Sequence, residues 1–412
     1  MQPKRPGHAG PQIQRAAECA AEQTIEQRPT AGLSRALRRH IGEQVARANG
    51  WLPFDRFMAL ALYTPGLGYY SRGGGQIGRM PAGGSDFVTA PVLSPLFGAT
   101  LAHGVAQVLD AAALATVIEF GAGTGALAEQ VLDALGDRVQ HYQIVDVSGS
   151  LRATQQQRLA RFAPRVQWLD AWPEHIEAVV LGNEVLDAMP VQLLAWDGAQ
   201  WLERGVVVAG TGGGDDGGDQ GADETGDDSV DPHFAWSDRP TALRPPHAGP
   251  YLPGTVTEIH PQAEAFMRTL ATHLHRGAAF FIDYGFPEAE YYHLQRTGGT
   301  LMCHRAHRAD TDPLADVGAK DITAHVNFSA VALAAQDAGL DVLGYTSQAH
   351  FLLNCGLTEQ MATADLRART AALTLIQEHE MGELFKVLGL ARGLPPGFEC
   401  IGFARGDRSH TL

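Results

Sequence analysis

The sequence predicts an α/β fold built on a doubly wound parallel sheet, and three observations support this. Between residues 115 and 181, compact apolar runs alternate with segments of helical periodicity. The first run, ATVIEF, is β-branched and leads directly into glycines, as a buried parallel strand does before its crossover helix. Apolar residues make up 45% of the 412 residues and charged residues 19%, which suits a large globular core.

The elements of this alternation follow from the periodicity of the apolar residues. An amphipathic helical pattern over 33–62 is broken by Gly50 and Pro53, a glycine-rich loop follows over 64–84, and helical periodicity returns over 94–114. The predicted series is then strand 115–120, helix 126–135, strand 142–147, helix 151–162, strand 166–169 and strand 178–181.

The second half of the chain continues with shorter elements. Strands predicted over 191–195 and 201–208 flank Asp197-Gly198, which is a hairpin signal. The remaining predictions are strand 255–259, helix 261–275, strand 278–283, strand 340–345, helical material over 358–390 and strand 399–405.

Composition divides the chain into an expected core and expected flexible parts. We expect residues 1–31 to be a flexible tail, because Glu18, Glu22 and Glu26 are unusual in a cleaved presequence. Residues 32–114 form a predicted N-terminal helical region, and 115–405 the core, with an added helical region over 346–398. Residues 210–231 carry eight acidic residues and many glycines, so we expect them to be a disordered insertion.

Charge and cysteine usage exclude several classes of protein. The net charge of −15 gives no basic surface for nucleic acid. Cys19, Cys303, Cys355 and Cys400 form no C-x-x-C pair, which argues against zinc sites and disulfides, and we expect no bound metal. No apolar run approaches the roughly 20 residues of a membrane span. We expect a cytoplasmic protein rather than one of the mitochondrial matrix, and the sequence leaves a homodimer open.

A glycine-rich loop after the first core strand predicts a nucleotide-like cofactor. Gly121, Gly123 and Gly125 permit a sharp turn and a close backbone approach, and the next helix offers free N–H groups. With Ala126 the loop also satisfies the dinucleotide pattern, so a nicotinamide-dependent oxidoreductase remains an alternative. Glu119 favours S-adenosylmethionine, because a carboxylate suits its cationic methionine portion and repels a pyrophosphate.

Further acidic side chains follow other predicted parallel strands. Asp146 ends the second core strand, where a carboxylate can accept hydrogen bonds from ribose hydroxyls. Asn183, Glu184 and Asp187 follow the fourth, at the edge where ligands bind, and this combination suits a cationic acceptor. Asp283 ends a further strand at the same edge. Helix capping is the competing interpretation for Asn183, Asp187 and Asp283.

Ordered sequence blocks resemble those of the MidA family of S-adenosylmethionine-dependent methyltransferases, which includes the mitochondrial arginine methyltransferase needed to assemble respiratory complex I. The blocks are GYY (68–70), SDFVTAP (85–91), SPLFG (94–98), EFGAGTG (119–125), NEVLDAMPV (183–191), DYG (283–285) and KDITAHVNF (320–328). The resemblance implies a class I methyltransferase (Rossmann-like) fold, mostly parallel with one antiparallel strand, carrying an N-terminal helical lid and additional helices.

The resemblance also implies roles for particular residues. Gly121, Gly123, Gly125 and Asp146 would bind the cofactor, and three residues of the N-terminal region would close over it, namely Asp86, Phe87 and Thr89. Glu184 and Asp187 match the family's acceptor site, which implies a protein arginine acceptor on a complex I subunit.

Two positions depart from the family pattern. Val92 stands where the family usually has Glu, and Asn327 where it usually has Asp. A cofactor-binding assembly factor that has lost turnover is therefore the main alternative to an active enzyme.

Overall fold

A computed structural model describes residues 32–72, 88–146, 149–210, 231–305 and 308–412. The expected tail, residues 211–230 of the acidic insertion, and the site residues Asp86 and Phe87 lie outside these ranges. Within the described ranges, no helix is both long enough and apolar enough to cross a membrane.

The elements have the following bounds. The helices are α1 (32–47), α2 (Phe54–Tyr63), α3 (Ala90–Leu93), α4 (Pro95–Ala112), α5 (Ala126–Leu135), α6 (Gly149–Leu159), α7 (Pro261–His273), α8 (Glu288–Tyr291), α9 (Phe328–Asp337), α10 (Gln348–Asn354), α11 (Leu357–Thr363) and α12 (Leu366–Ile376). The strands are β1 (Leu52–Pro53), β2 (Thr116–Phe120), β3 (His141–Val145), β4 (Val166–Leu169), β5 (Ile176–Asn183), β6 (Gln192–Trp196), β7 (Trp201–Val208), β8 (Phe234–Pro240), β9 (Val256–Ile259), β10 (Leu274–Phe286), β11 (Met302–Arg305), β12 (Arg308–Asp310), β13 (Asp321–Thr323), β14 (Val326–Asn327), β15 (Asp341–Ser347) and β16 (Phe385–Arg392).

The central sheet has the strand order β4-β3-β2-β5-β10-β16-β15. The pairs from β4 to β10 are parallel, whereas β16 is antiparallel to both β10 and β15. Short β14 adds in parallel to the end of β10. The predicted mostly parallel sheet with one antiparallel strand is therefore confirmed.

Helices cover both faces of this sheet. Alternate residues of its strands point to opposite faces, so each strand contributes side chains to a core on either side. Val179 and Leu181 of β5 belong to a core that includes residues of α4, α5, α10, α11 and α12. Ala178 and Val180 belong to a second core with residues of α7 and α9. The chain is thus doubly wound, as the alternation of strands and helices predicts.

A second, antiparallel sheet has the order β1-β7-β6-β9, with β8 paired to β7. Its strands lie between β5 and β10 in the sequence except for β1, which comes from the N-terminal region. The Asp197-Gly198 turn joins β6 to β7, which confirms the predicted hairpin. A third core joins this sheet to α1, α2 and the small sheet β12-β11-β13, through residues such as Leu37, Phe57, Leu193 and Ile322. The N-terminal helices therefore pack on the second sheet.

The C-terminal part corrects two predictions made from the sequence. The helical segment expected over 358–390 contains α11 and α12, but its last residues belong to β16. The strand expected over 399–405 is wrong, because a short 3₁₀ turn, Ile401–Phe403, occupies that position. The expected helical region over 346–398 thus holds three helices followed by a central strand.

The local sequence of β16 explains why its residues were predicted to be helical. Seven of its eight residues are buried, so it lacks the polar alternation that marks a half-exposed strand. Phe403 packs over Gly389 of β16 and Gly344 of β15, where a Cβ atom would overlap its ring. These glycines weaken the strand signal in the sequence while they make room for the aromatic side chain.

Replacing residues 211–230 by a short Gly/Ser linker should leave the melting temperature nearly unchanged. The flanking strands already meet, since Ala209 N donates to His233 O at 2.8 Å, and doubling a loop costs only about 0.6 kcal/mol. Asp231 is kept because it pairs with Arg35, Arg38 and Arg39 of α1. A large drop in melting temperature, measured by calorimetry, would show that the removed residues pack on the core.

Candidate functional site

The predicted glycine loop connects β2 to α5 at the carboxyl edge of the central sheet. Gly121, Gly123 and Gly125 have φ values of 62°, 52° and 76°, a region that side-chain-bearing residues rarely adopt. A Cβ atom at Gly121 would also approach Val185 to 3.1 Å. The glycines are therefore needed for the turn itself, and the loop exposes its backbone to a neighbouring pocket.

This glycine-loop pocket brings together predicted site residues from three segments. Glu119, the loop residues 121–124, Asn183 and Thr89 all line it, whereas the predicted residues Gly125 and Asp146 do not. Its full lining is Thr89, Pro91, Val92, Glu119, Gly121, Ala122, Gly123, Thr124, Ala126, Leu127 and Asn183. Among the described residues, Thr124 Oγ1 and Asn183 Oδ1 are buried without a hydrogen-bond partner. Polar groups left in this state favour a ligand that supplies the missing partners, as the amino acid portion of S-adenosylmethionine would.

Glu119 is the acidic wall of the glycine-loop pocket. Its side chain is buried, and Oε2 accepts a hydrogen bond of 2.6 Å from the Tyr142 hydroxyl. Burial raises the pKa of the Glu119 carboxyl to about 8, against the lowering effect of that hydrogen bond. A cationic ligand would stabilise the ionised form, so the site is suited to the positive charge of S-adenosylmethionine.

Gln155 of α6, which was not among the predicted site residues, connects Asp146 to the glycine loop. Its Nε2 donates to Gly123 O at 2.9 Å and to Asp146 Oδ2 at 2.8 Å, while its Oε1 accepts from Trp168. The side chain is fully buried. Gln155 therefore fixes the predicted ribose-binding carboxylate relative to the glycine loop.

Asp283 anchors the loop that carries Asn183, Glu184 and Asp187. Its buried Oδ2 accepts hydrogen bonds from the backbone N–H groups of Val185, Leu186 and Asp187, at 2.9 to 3.2 Å. The capping interpretation thus applies to Asp283. The anchored loop holds Glu184 at a φ of 54°, a strained conformation for a residue with a side chain.

Replacing Asp283 by asparagine should destabilise the protein by about 2–3 kcal/mol, because an amide N–H₂ would face a backbone donor in a buried position. Urea denaturation of the variant would measure the loss. As a control, Asp197→Asn alters a carboxylate that also accepts two backbone N–H groups but is exposed, and should cost less. Equal losses would contradict the anchoring role.

A second concavity, the carboxylate pocket, adjoins the first. Glu184 and Asp187 line it together with Asp321, which belongs to the KDITAHVNF block. The full lining is Tyr70, Val88, Glu184, Asp187, Tyr284, Thr300, Met302, His304, Asp321, His325, Met381, Leu384 and Phe385. The two pockets meet between Val88 and Thr89 and between Asn183 and Glu184. A donor in one and an acceptor in the other would lie side by side.

The carboxyl groups of this pocket are held in an unusual electrostatic state. Burial and the charge of Asp187 raise the pKa of Glu184 to about 8, and Asp321 adds to the effect. Burial also raises the pKa of Asp187 above its usual range, although the Tyr284 hydroxyl donates to its Oδ2. Among the described residues, Asp187 Oδ1 is buried without a hydrogen-bond partner. The pocket therefore favours a positively charged guest.

Three side chains of the carboxylate pocket were missed by the sequence analysis. Tyr284 contacts Asp187, and the Tyr70 hydroxyl donates to Asp321 Oδ1 at 2.8 Å. Tyr70 and Tyr284 lie in the GYY and DYG blocks, and Asp321 in KDITAHVNF, so the blocks were the available signal. Gly285 allows the close approach of β14, because a Cβ there would overlap Val326.

The two departures from the family pattern lie outside the carboxylate pocket. Val92 lines the glycine-loop pocket. Asn327 caps α9, with Oδ1 accepting from Ala330 N at 3.2 Å, a role that aspartate fills equally well. In the described part of the chain, no group of three or more His, Cys, Asp or Glu side chains is arranged to hold a metal ion.

Comparisons with known proteins agree with this geometry. A family model described as "Putative S-adenosyl-L-methionine-dependent methyltransferase" matches residues 100–346. The crystal structure of a "likely methyl transferase" from Burkholderia thailandensis, bound to S-adenosyl-homocysteine, is 50% identical with a TM-score of 0.84, over 93% of this chain and 98% of that one.

Two curated relatives carry more specific names. They are protein arginine methyltransferase NDUFAF7, mitochondrial, of Danio rerio and its homolog of Drosophila melanogaster, each 25% identical to the chain. The alignments cover 88% and 84% of this chain, and 89% and 83% of the two relatives.

The family match extends over more than half of the chain. It includes the glycine loop with Glu119 and the acidic residues of the carboxylate pocket. It excludes the nicotinamide alternative that the loop alone left open, and it confirms the resemblance indicated by the sequence blocks. The chain therefore belongs to the MidA-type family of S-adenosylmethionine-dependent methyltransferases, and S-adenosylmethionine is its cofactor.

Proposed function

We propose that the chain is a protein arginine N-methyltransferase, with the guanidinium group bound in the carboxylate pocket. The observation that carries the proposal is the buried, unpartnered Oδ1 of Asp187, which lines the pocket together with Glu184 and Asp321. A positively charged partner stabilises such carboxyl groups, and a planar guanidinium can donate hydrogen bonds to two of them at once.

The rest of the pocket suits the remainder of an arginine side chain. Met302, Met381, Leu384 and Phe385 provide apolar surface in the same concavity as the three carboxyl groups. An arginine has an aliphatic stem of three methylenes below its charged head, so it can use both surfaces. A neutral acceptor would leave buried carboxylates without a counter-charge, which is costly.

The proposed mechanism depends on positioning. S-adenosylmethionine supplies a methyl group on a positively charged sulfur, which makes that carbon electrophilic. Glu119, Thr124 and Asn183 would hold it on one side of the junction between the pockets. Glu184 and Asp187 would bind the guanidinium and draw its positive charge towards them, so that one of its nitrogens can attack. The new nitrogen–carbon bond would form as the bond between the methyl carbon and sulfur breaks, which leaves S-adenosylhomocysteine. The proton lost from the attacking nitrogen would pass to one of these carboxylates.

Arginine is favoured over lysine by the same charges. A lysine ammonium has no lone pair until it loses a proton, and surrounding carboxylates stabilise the charged, unreactive form. The guanidinium keeps electron density on its nitrogens while charged, and its fork matches several carboxylates at once. The names of the two curated relatives support the same acceptor.

The direct test is an in vitro assay with an arginine-containing peptide and a matched peptide in which lysine replaces the arginine. Mass spectrometry should find the methyl group on arginine only. The MidA resemblance makes a respiratory complex I subunit the first protein acceptor to try, by comparing that complex from cells with and without the enzyme. Methylation confined to lysine, a nucleic acid or a small molecule would overturn the arginine proposal. Cofactor binding without any turnover would favour the assembly-factor alternative.

A further inference from the structure

We infer that Asp321 is an acceptor-recognition residue that binds the acceptor's cation on the side away from the cofactor. The inference rests on the proposed function and adds a third carboxylate to Glu184 and Asp187. Asp321 begins β13 in the small sheet β12-β11-β13. This third carboxylate therefore comes from neither the glycine loop nor the loop over 183–187, called the NEVLD loop below.

The location of Asp321 follows from the two pocket linings. Thr300, Met302, His304, Asp321 and His325 line the carboxylate pocket, and none of the residues lining the glycine-loop pocket comes from this part of the described chain. Glu184, in contrast, directly follows Asn183, which does line the glycine-loop pocket. Glu184 therefore borders the glycine-loop pocket through the adjacent Asn183, whereas Asp321 lines the carboxylate pocket alone.

Tyr70 prepares Asp321 for this role. Asp321 is buried, and the Tyr70 hydroxyl donates to its Oδ1, which holds the carboxyl group in position. Tyr70 in turn stacks on Tyr63, whose hydroxyl donates to Ala188 O just beyond the NEVLD loop. The contacts of Tyr63 and Tyr70 thus link the two walls of the carboxylate pocket and set their separation.

The division of labour between the carboxylates follows from this placement. A carboxylate beside the junction acts on the nitrogen that attacks, so its loss should lower kcat. A carboxylate on the far side contributes to binding in the ground state and the transition state alike, so its loss should mainly raise KM.

The charge of Asp321 also acts on its neighbours. The titratable groups that line the pocket around it, or that interact with it, are Tyr63, Tyr70, Glu184, Asp187, Tyr284, Cys303, His304 and His325. Its negative charge contributes to the raised pKa of Glu184. Removing that charge should lower the pKa of Glu184, so the rise of kcat/KM with pH should move to lower pH.

The test compares Asp321→Asn and Tyr70→Phe with the wild-type chain on an arginine peptide. For Asp321→Asn we expect KM for the peptide to rise on the order of 10- to 100-fold, with kcat changed less than about threefold. The affinity for S-adenosylmethionine should stay unchanged, and the acidic limb of the pH profile should shift downwards. Tyr70→Phe keeps the charge, so it should raise KM less and leave that limb in place.

Asp310→Asn is the matched control, because Asp310 lies on β12, the other outer strand of the same small sheet, but pairs with Lys320 and does not line the pocket. An unchanged KM and pH profile in Asp321→Asn would overturn the inference while leaving the proposed function intact. So would an equal fall in cofactor affinity, which would indicate a merely structural role. If Asp321→Asn fails to fold, an unchanged KM in Tyr70→Phe overturns it instead. A wild-type chain that methylates neither the arginine peptide nor its lysine counterpart overturns both proposals.

Discussion

Replacing Gly123 by valine should abolish the binding of S-adenosylmethionine. Gly123 has a φ of 52° and lines the glycine-loop pocket. A β-branched residue in this region pays roughly 1–2 kcal/mol of backbone strain, which the loop would relieve by changing its path. A Cβ at Gly123 meets no atom of the described residues within 4 Å, so the isopropyl group is free to occupy space that the cofactor needs. We expect a loss of at least about 100-fold in affinity by calorimetry, or ~2.7 kcal/mol.

A matched glycine in the same region separates strain from site geometry. Gly136, at the other end of α5, has a φ of 53° and a ψ of −125°, and a Cβ there also meets no atom of the described residues within 4 Å. Gly136→Val should therefore cost at least as much stability, measured by thermal unfolding, while cofactor binding is retained. Undiminished binding by Gly123→Val would place the cofactor elsewhere, and equal losses in both variants would indicate general destabilisation.

Replacing Glu184 by glutamine should leave cofactor affinity intact and lower turnover on the order of 10²- to 10³-fold. Glutamine preserves the shape of the side chain and can still accept the hydrogen bond that Asn183 donates to Oε1 at 2.9 Å. It removes the charge that would draw the guanidinium's positive charge away from the attacking nitrogen. Single-turnover assays with saturating peptide would measure the rate of the chemical step directly.

The control for this variant is Glu203→Gln on β7, since Glu203 is also partly buried and burial raises its pKa. It should keep full turnover. Stability provides a second readout, because Glu184 has a folded-state pKa of about 8 and its ionisation therefore destabilises the fold as pH rises through that value. Glu184→Gln should not show this component of the loss. Full turnover in Glu184→Gln would exclude the charge mechanism.

The cofactor half of the site, formed around the glycine loop, can be recognised from short segments of the sequence. Glu119 and the three glycines lie within seven consecutive residues, and each has its effect through its own backbone or the next turn. Asp146 follows the neighbouring strand, so the order of strands in a doubly wound sheet brings it to the same edge. Local periodicity and one topological rule were therefore sufficient to place these residues at one edge of the sheet, and their contact with the cofactor stays a prediction.

The acceptor half could not be predicted in the same way, because its side chains come from segments that meet only in the folded chain. Asp321, Tyr70 and Tyr284 belong to β13, a turn after α2, and β10. Their mutual contacts depend on how the second sheet and the N-terminal helices pack, which periodicity does not specify. Asp283 illustrates the ambiguity, since a carboxylate at a strand end can face a ligand or cap a loop, and only its three N–H partners decide.

The glycine-loop pocket and the Asp321 side of the carboxylate pocket border different hydrophobic cores, and this has a consequence for how such enzymes diversify. Ala122 and Leu127, beside the glycine loop, belong to a core of the central sheet, whereas Cys303 and Ile322, beside Asp321, belong to the core shared with the second sheet and the N-terminal helices. Substitutions with no shared neighbours are close to additive in their effects. Descendants of a common ancestor can therefore explore new methyl acceptors by varying the third core while the machinery for the methyl donor is inherited unchanged.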